Sequence, residues 1–400
     1  MPFDLDLVIV GGCGRVGLPL GLAFADRGLS VALYDVNERA VGQVSRGEMP
    51  FAEDGADEVM ARVGPASSRA GLIATMDPAD VSRAEHVVVV IGTPVDEHLD
   101  PRPTAVPDAV EALAPHLRDG QVLILRSTLF PGVTAMVERL IARLGVQVEV
   151  AFCPERIAEG AALRELFDLP QIVASRSATG QARAEKLFGA LTNSTVPLSP
   201  EEAELAKLFT NTWRYIKFAT ANQLFMIAND FGLDFARIRA AMTFDYPRAA
   251  DLPGPGFAAG PCLLKDTMQL AAFNNNNFVL GHASMMVNEG LPMYVVSKME
   301  ESFDLGNSTV GVLGMAFKGG SDDVRDSLAY KLRRILRFKA RDVLCTDPYV
   351  TTDASLVSLD DVLRAADVLV LATPHPEYRD LGTTTPLVDV WGFTGSGTRI

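Results

Sequence analysis

The sequence predicts an α/β protein with two doubly wound parallel-sheet domains, joined by a long central helix and a helical middle domain. Three observations carry this expectation. Over the first half of the chain, short apolar runs alternate with amphipathic stretches, as buried strands alternate with the helices that cover them. A stretch without Gly or Pro then follows Pro200 as far as Phe231. After Thr309 the alternation begins again. A chain of 400 residues has room for two or three domains, and the expected boundaries are 1–198, 199–303 and 304–400.

Each element has its own signal. Leu5 to Val10 is a continuous apolar run, read as a first strand, and a helix follows the glycine-rich turn as far as about Asp26. Ser30 to Tyr34 gives a second strand that ends at Asp35. Val87–Ile91, Val122–Leu125, Val148–Phe152 and Gln171–Ala174 read as further buried strands. Ser199-Pro200-Glu201-Glu202 supplies a capping hydroxyl, a Pro at the first helical position and a Glu at the third. The helix it starts should be about 45 Å long. With Leu205, Leu208, Phe209, Trp213, Ile216 and Leu224 it must pack against more than one neighbour, so it reads as a connector and a dimer surface. In the last part, strands are expected at Val310–Leu313, Val343–Cys345, Asp367–Leu371 and Leu387–Val390, with a turn at Gly314 and a helix near Ser327–Lys339.

Composition narrows the function classes. With 48% apolar and 22% charged residues and a mean hydropathy of +0.17, the chain is not disordered throughout. Thirty-six basic against 50 acidic side chains leave a net charge of −14, which argues against a nucleic-acid partner. An anionic small molecule is compatible with it, because a few placed cations and helix N-termini suffice. Cys13, Cys153, Cys262 and Cys345 are far apart and form neither a disulfide framework nor a zinc site, so no metal is expected. The opening MPFDLDLVIVGG has acids where a secretory signal has basic residues, and no apolar stretch is long enough to span a bilayer. The expectation is a cytoplasmic protein without a membrane partner.

Gly12-x-Gly14-x-x-Gly17 lies between a strand and a helix, and Asp35 stands 18 residues beyond Gly17 at the end of the second strand. The glycines permit a tight turn and close approach of a pyrophosphate, whose charge meets the helix N-terminus. Asp35 can accept hydrogen bonds from an adenosine ribose, which favours NAD over NADP. The first domain is therefore Rossmann-like.

Other candidates carry two readings each. Cys262 sits in Gly260-Pro261-Cys262-Leu263-Leu264-Lys265-Asp266, either as an exposed, activated thiolate or as a packed structural cysteine. Lys207 and Asn211 are i,i+4 on the long helix, with Arg214 three further on: a working polar stripe or a solvated face. Glu155 and Glu159 follow a strand end, where ligands collect in open α/β sheets, or they are ordinary loop carboxylates. Arg126-Ser127-Thr128 can reach a ligand or cap a turn. Lys318 and Arg325, in the segment entering a C-terminal helix, can hold a diphosphate or form a charged first turn.

Taken together, these segments resemble the UDP-glucose/GDP-mannose dehydrogenase family, and the likeness covers nearly the whole chain. Gly12 to Pro19 is similar to the family's nucleotide loop. Gly92-Thr93-Pro94-Val95-Asp96, Arg126-Ser127-Thr128, Cys153-Pro154-Glu155-Arg156, Lys207 to Asn211, Cys262 to Asp266 and Phe317 to Arg325 follow in the family's order. The resemblance implies an NAD-binding first domain, a helical dimerising middle and a C-terminal Rossmann-like domain that binds a UDP-sugar. It implies oxidation of a sugar C6 alcohol to a carboxylate, with Cys262 holding the carbon as thiohemiacetal and thioester.

By the same resemblance, Lys207 and Asn211 stabilise developing oxyanions, Asp266 with Thr128 orients a water, and Glu155 serves thioester hydrolysis. Gly12, Gly14, Arg15, Val16, Gly17, Asp35, Thr93, Thr128, Lys265 and Arg325 fall at cofactor positions. Arg156, Ile157, Glu159, Lys207, Asn211, Arg248, Phe257 and Lys318 fall at substrate positions. Pro261 and Gln223 depart from the family's usual Ser or His and Glu. Gly92 to Leu99 and Asn288 to Pro292 look like the branch acting on UDP-N-acetylhexosamines, which points to a UDP-N-acetylmannosamine or UDP-N-acetylglucosamine dehydrogenase. A UDP-glucose dehydrogenase is the alternative, and a non-catalytic sugar-nucleotide-binding paralogue is the alternative of another class.

Overall fold

The computed structural model describes residues 3–67, 71–93, 95–96, 100–258 and 260–400. Pro94 and Glu97, His98 and Leu99 of the Gly92–Leu99 segment, and Ala259 of the cysteine loop, lie outside the described residues. The chain forms two compact units, one through Phe209 and one from Thr210 to Ile400. Both contain a parallel sheet flanked by helices, as the alternating pattern requires.

The first unit holds eight strands: β1 (Leu5–Val10), β2 (Val31–Tyr34), β3 (Leu72–Thr75), β4 (Ala84–Val89), β5 (Val122–Leu125), β6 (Glu149–Phe152), β7 (Gln171–Ser175) and β8 (Thr195–Leu198). Their order in the sheet is β3-β2-β1-β4-β5-β6-β7-β8. The reversal between β1 and β4 is the switch point at which open α/β sheets bind ligands, outside the strands' carboxyl ends. Val8, Ile9, Val87, Val88, Leu123 and Ile124 are fully buried, so the central strands have no polar face and read as unbroken apolar runs. One pairing departs from the expected parallel sheet. β6 and β7 are antiparallel, because their connection is a long loop with only the short helix Ala162–Asp168 rather than a full crossover helix.

The long helix runs from Pro200 to Asp230. Its start is a capping box: Ser199 Oγ accepts from Glu202 N at 3.4 Å, and the Ser199 N–H donates to Glu202 Oε2 at 2.8 Å. One turn further on, Glu204 caps a different helix. Its carboxylate accepts from Gly132 N at 2.6 Å, from Thr134 N at 2.8 Å and from Thr134 Oγ1 at 2.6 Å, at the start of the helix Val133–Leu144.

The second unit has a four-stranded parallel sheet: β9 (Thr309–Leu313), β10 (Asp342–Thr346), β11 (Val368–Leu371) and β12 (Leu387–Val388), ordered β10-β9-β11-β12. The helical middle does not bury itself separately. Phe225 and Ala228 of the long helix, with Leu291, Val295 and Met299 of the helix Val279–Ser302, share one core with Val310, Val312, Val368 and Val370 of the sheet. Long amphipathic helices need an apolar surface to cover, and the sheet's inner face supplies it. Among the described residues no helix is long and apolar enough to cross a membrane.

Candidate active site

The glycine loop sits at the β1/β4 switch point. A Cβ on Gly12 would stand 2.7 Å from Ile9 O, and one on Gly17 would stand 2.4 Å from Gly11 O, so neither position tolerates a side chain. Gly17 opens the helix Gly17–Asp26, whose first turn holds no acid and whose start has no side-chain cap. Asp35 closes the loop: Oδ2 accepts from Cys13 N at 3.0 Å and Oδ1 from Asn37 N at 3.0 Å. The carboxylate is only half-buried. A cradle without side chains, uncapped amides and a reachable acid fit a dinucleotide. Arg15 and Val16 flank this loop, the Arg15 guanidinium lying 5.0 Å over the Phe51 ring. Thr93 and Thr128, both half-buried, follow β4 and β5 on the same edge of the sheet.

Beside them lies a buried ion pair. Arg126 is 1% exposed. Its Nε and Nη2 donate to Glu155 Oε2 at 2.9 and 2.5 Å, Nη1 to Cys153 O at 3.0 Å, and Nη2 also to Gln171 Oε1 at 3.1 Å. The guanidinium stacks 4.6 Å from the Phe188 ring centre. Glu155 Oε1 accepts from Arg156 N at 2.7 Å and Ile157 N at 3.0 Å, which fixes the turn carrying Arg156, Ile157 and Glu159. Glu53 holds the far end of that turn, accepting from Gly160 N at 2.8 Å and Ala162 N at 2.6 Å. Glu53 and the Arg126–Gln171 contact have no local sequence signal, since the partners are remote in the chain.

The second unit gathers the thiol's surroundings. Cys262 is exposed and is the N-cap residue of the helix Leu263–Phe273. A helix N-terminus favours thiolate, and exposure lets a substrate reach it. Burial instead pushes the Cys13 and Cys153 thiols up to about 12 and that of Cys345 up to about 11, so these three are packing residues. One turn into the helix, Asp266 is fully buried, accepts from Asn211 Nδ2 at 2.6 Å through Oδ2, and has Oδ1 3.4 Å from Lys265 Nζ. The Cys262 helix and the long helix are thus tied through the two residues the sequence singled out, Asn211 and Asp266. Lys207 lies one turn before Asn211, about 6 Å along the helix, and is 9% exposed.

The loop before the thiol is held by Asn222, which had no assigned role. Gly256 N donates to Asn222 Oδ1 at 2.8 Å, and Asn222 Nδ2 returns to Gly256 O at 3.0 Å. At φ +147° Gly256 admits no side chain, because a Cβ would meet the Trp391 ring at 2.2 Å. Phe257, 3% exposed, sets its ring edge-on to Trp391. Arg248 is exposed, with its guanidinium 5.9 Å over Tyr246. In the segment after β9, Arg325 is half-exposed and pairs with Asp323 at 2.5 Å, while Phe317 N donates to Asp323 O at 2.8 Å and so fixes the segment that carries Lys318. Among the described residues no cluster could hold a metal ion.

Three models of one family match in chain order: an NAD binding domain at residues 6–192, a central domain at 201–289 and a UDP binding domain at 311–394. The chain belongs to the UDP-glucose/GDP-mannose dehydrogenase family. It is an NAD-dependent nucleotide-sugar dehydrogenase, and the cradle around Gly12 and Asp35 lies inside the matched NAD domain. A Pyrococcus horikoshii protein named UDP-N-acetyl-D-mannosamine dehydrogenase is 30% identical, over 94% of this chain and 90% of that protein. A Salmonella typhi protein of the same name is also 30% identical, over 93% and 94%. The solved structure of a UDP-glucose dehydrogenase from Pyrobaculum islandicum superposes with a TM-score of 0.88 at 27% identity, covering 97% of this chain and 94% of that one.

Proposed function

We propose that this enzyme oxidises a UDP-N-acetylhexosamine, N-acetylmannosamine or N-acetylglucosamine, at C6 from alcohol to carboxylate, reducing two NAD⁺ per sugar. The observation that carries this reading is the exposed Cys262 at a helix N-terminus, one turn from the Asn211–Asp266 pair. The names of the Pyrococcus and Salmonella relatives support the amino sugar. UDP-glucose is the second reading, favoured by the likeness to the Pyrobaculum enzyme.

Bound NAD⁺ supplies the hydride acceptor for both oxidations. Gly12, Gly14 and Gly17 admit its pyrophosphate, Arg15, Val16, Thr93 and Thr128 line its path, and Asp35 takes its ribose hydroxyls. The C6 alcohol loses a hydride and a proton, the proton passing to a water oriented by Asp266 and Thr128. The Cys262 thiolate adds to the aldehyde carbon, and Lys207 and Asn211 stabilise the resulting oxyanion. Loss of a second hydride leaves a thioester. Water cleaves it with help from Glu155, which must exchange one of its Arg126 or backbone contacts for that water, releasing the carboxylate and regenerating the thiol. Arg156, Ile157, Glu159, Arg248, Phe257 and Lys318 hold the sugar nucleotide, and Lys265 and Arg325 neutralise phosphate.

A panel of UDP- and GDP-sugars, with NADH counted per sugar consumed, tests this. Two NADH per UDP-N-acetylhexosamine are expected; one NADH per sugar would overturn the four-electron reading. A homodimer through the long helix belongs to the same proposal. Phe209, Trp213 and Ile227 are 50–56% exposed and fall within about 40° of one helix face, and Phe231, in the turn just past the helix end, is 78% exposed. A second copy of the chain would cover that stripe. Light scattering should give about twice 43.0 kDa, and a mass of one chain would exclude the dimer.

A further inference from the structure

We propose that His375 is a positioning residue for the UDP end of the substrate, holding the loop of Lys318 and Arg325 through the Gly320 N–H while anchored on Asp347. The inference rests on the reading above that this loop holds the diphosphate, and goes beyond it by naming what holds the loop.

The two sheets repeat one arrangement. After β1, Gly11 N donates to Tyr34 O at 2.9 Å; after β9, Gly314 N donates to Thr346 O at 2.9 Å. In each, the acid following the second strand accepts backbone N–H groups from the turn after the first: Asp35 from Cys13, and Asp347 Oδ2 from Met315 at 2.6 Å and Ala316 at 3.0 Å. The two acids then diverge. Asp35 is half-buried with one backbone N–H on each oxygen. The Asp347 side chain is 0% exposed. Its Oδ1 accepts from Tyr349 N at 2.9 Å and Val350 N at 3.0 Å, and Oδ2 also contacts His375 Nε2 at 3.0 Å. With five partners, Asp347 has no acceptor capacity left for a ribose.

The histidine's other nitrogen faces the loop. Gly320 N donates to His375 Nδ1 at 3.1 Å, so Nδ1 carries no proton and the ring gives its Nε2–H to Asp347. This tautomer follows from the bond partners. Burial would raise the Asp347 carboxyl, but the His375 bond and the Met315 and Ala316 amides hold it at about 2. Tyr349 and Tyr378 wall the ring at 5.0 and 5.7 Å, and His375 itself is 0% exposed. The same segment presses on the loop sterically, since a Cβ on Gly319 would meet Pro374 O at 2.4 Å. The ring is therefore fixed at one nitrogen by the sheet and grips the loop with the other.

Two amide variants separate the two halves. The carbonyl of His375→Asn can stand where Nδ1 stands and still accept from Gly320. The amide N–H of His375→Gln can stand where Nε2 stands and still donate to Asp347. Calorimetry with UDP, and steady-state kinetics with the UDP-sugar, read the result. His375→Gln should weaken UDP binding about tenfold, the loss of one buried hydrogen bond, and raise KM in proportion with kcat changed less than about twofold. His375→Asn should keep UDP affinity within about threefold of the parent. Lys318→Ala is the control for the loop itself. If it leaves UDP binding unchanged, the reading of the loop fails. If it weakens UDP while His375→Gln does not, or if both His375 variants weaken UDP equally, the positioning role fails. Hydrogen exchange in the unmutated protein needs no variant. Gly320 N–H should be protected as strongly as the β9 amides, and exchange at open-loop rates would overturn the inference.

Discussion

Replacing Cys262 with Ala is expected to lower formation of the carboxylate product by at least about a thousandfold, with the remaining reaction stopping at one NADH per sugar and releasing an aldehyde. Nucleophile removal has effects of this size or larger in enzymes with covalent intermediates. On the proposed route the first hydride transfer needs no sulfur, whereas retaining the aldehyde for the second does. The side chain is exposed, so the variant should fold normally and melt within about 2 °C of the parent. The same replacement at Cys153, buried beside Arg126, should act on stability instead. Two NADH per sugar at the parent's rate from Cys262→Ala would end the thioester account.

The largest stability effect is expected at Arg126. Arg126→Met should destabilise the first unit by about 3–5 kcal/mol, the range for removing one partner of a buried ion pair. The loss exceeds that of a surface pair because Glu155 is left without its counter-charge, and Cys153 O and Gln171 Oε1 each lose a donor. The stacking on Phe188 is retained in part by the Met side chain. Thermal unfolding should show a drop of roughly 10 °C, and Arg126→Met with Glu155→Gln should recover part of it by removing the stranded charge. A single-variant loss below about 1 kcal/mol would mean that water reaches the pair.

Much of the first unit was legible because buried parallel strands and glycine turns are local signals. Leu5–Val10, the helix end at Asp26, Val122–Leu125 and the capped start of the long helix fall where the sequence puts them. The strand expected at Val87–Ile91 begins earlier, at Ala84, because His86 is buried by a bond from its ring to Asp6 O and its polarity hides it. β3 and β8 are four-residue edge strands with half-exposed residues, and their apolar stretches, Leu72–Ala74 and Val196–Leu198 with Pro197 inside, are too short to stand out. The helices Leu263–Phe273 and Val279–Ser302 fall within the middle expected to be helical, but their ends carry no strong sequence signal of their own. For the site, residue types and spacing mark Cys262, Asn211 and Asp266 only as candidates with a bland alternative, the family resemblance supplies their expected roles, and the structure joins the last two by a hydrogen bond. Arg126 with Glu155, Glu53 with Gly160, Asn222 with Gly256 and His375 with Asp347 are pairings between remote segments, which no short window of sequence contains.

The sealed carboxylate of Asp347 has a kinetic corollary. Its sheet has given up a ribose berth, so of the two equivalent carboxylates among the described residues, the one open to a coenzyme is Asp35. On the proposed four-electron route, which draws on two coenzyme molecules, the reduced one would depart before its successor sits, and the half-finished sugar would wait in place during the exchange.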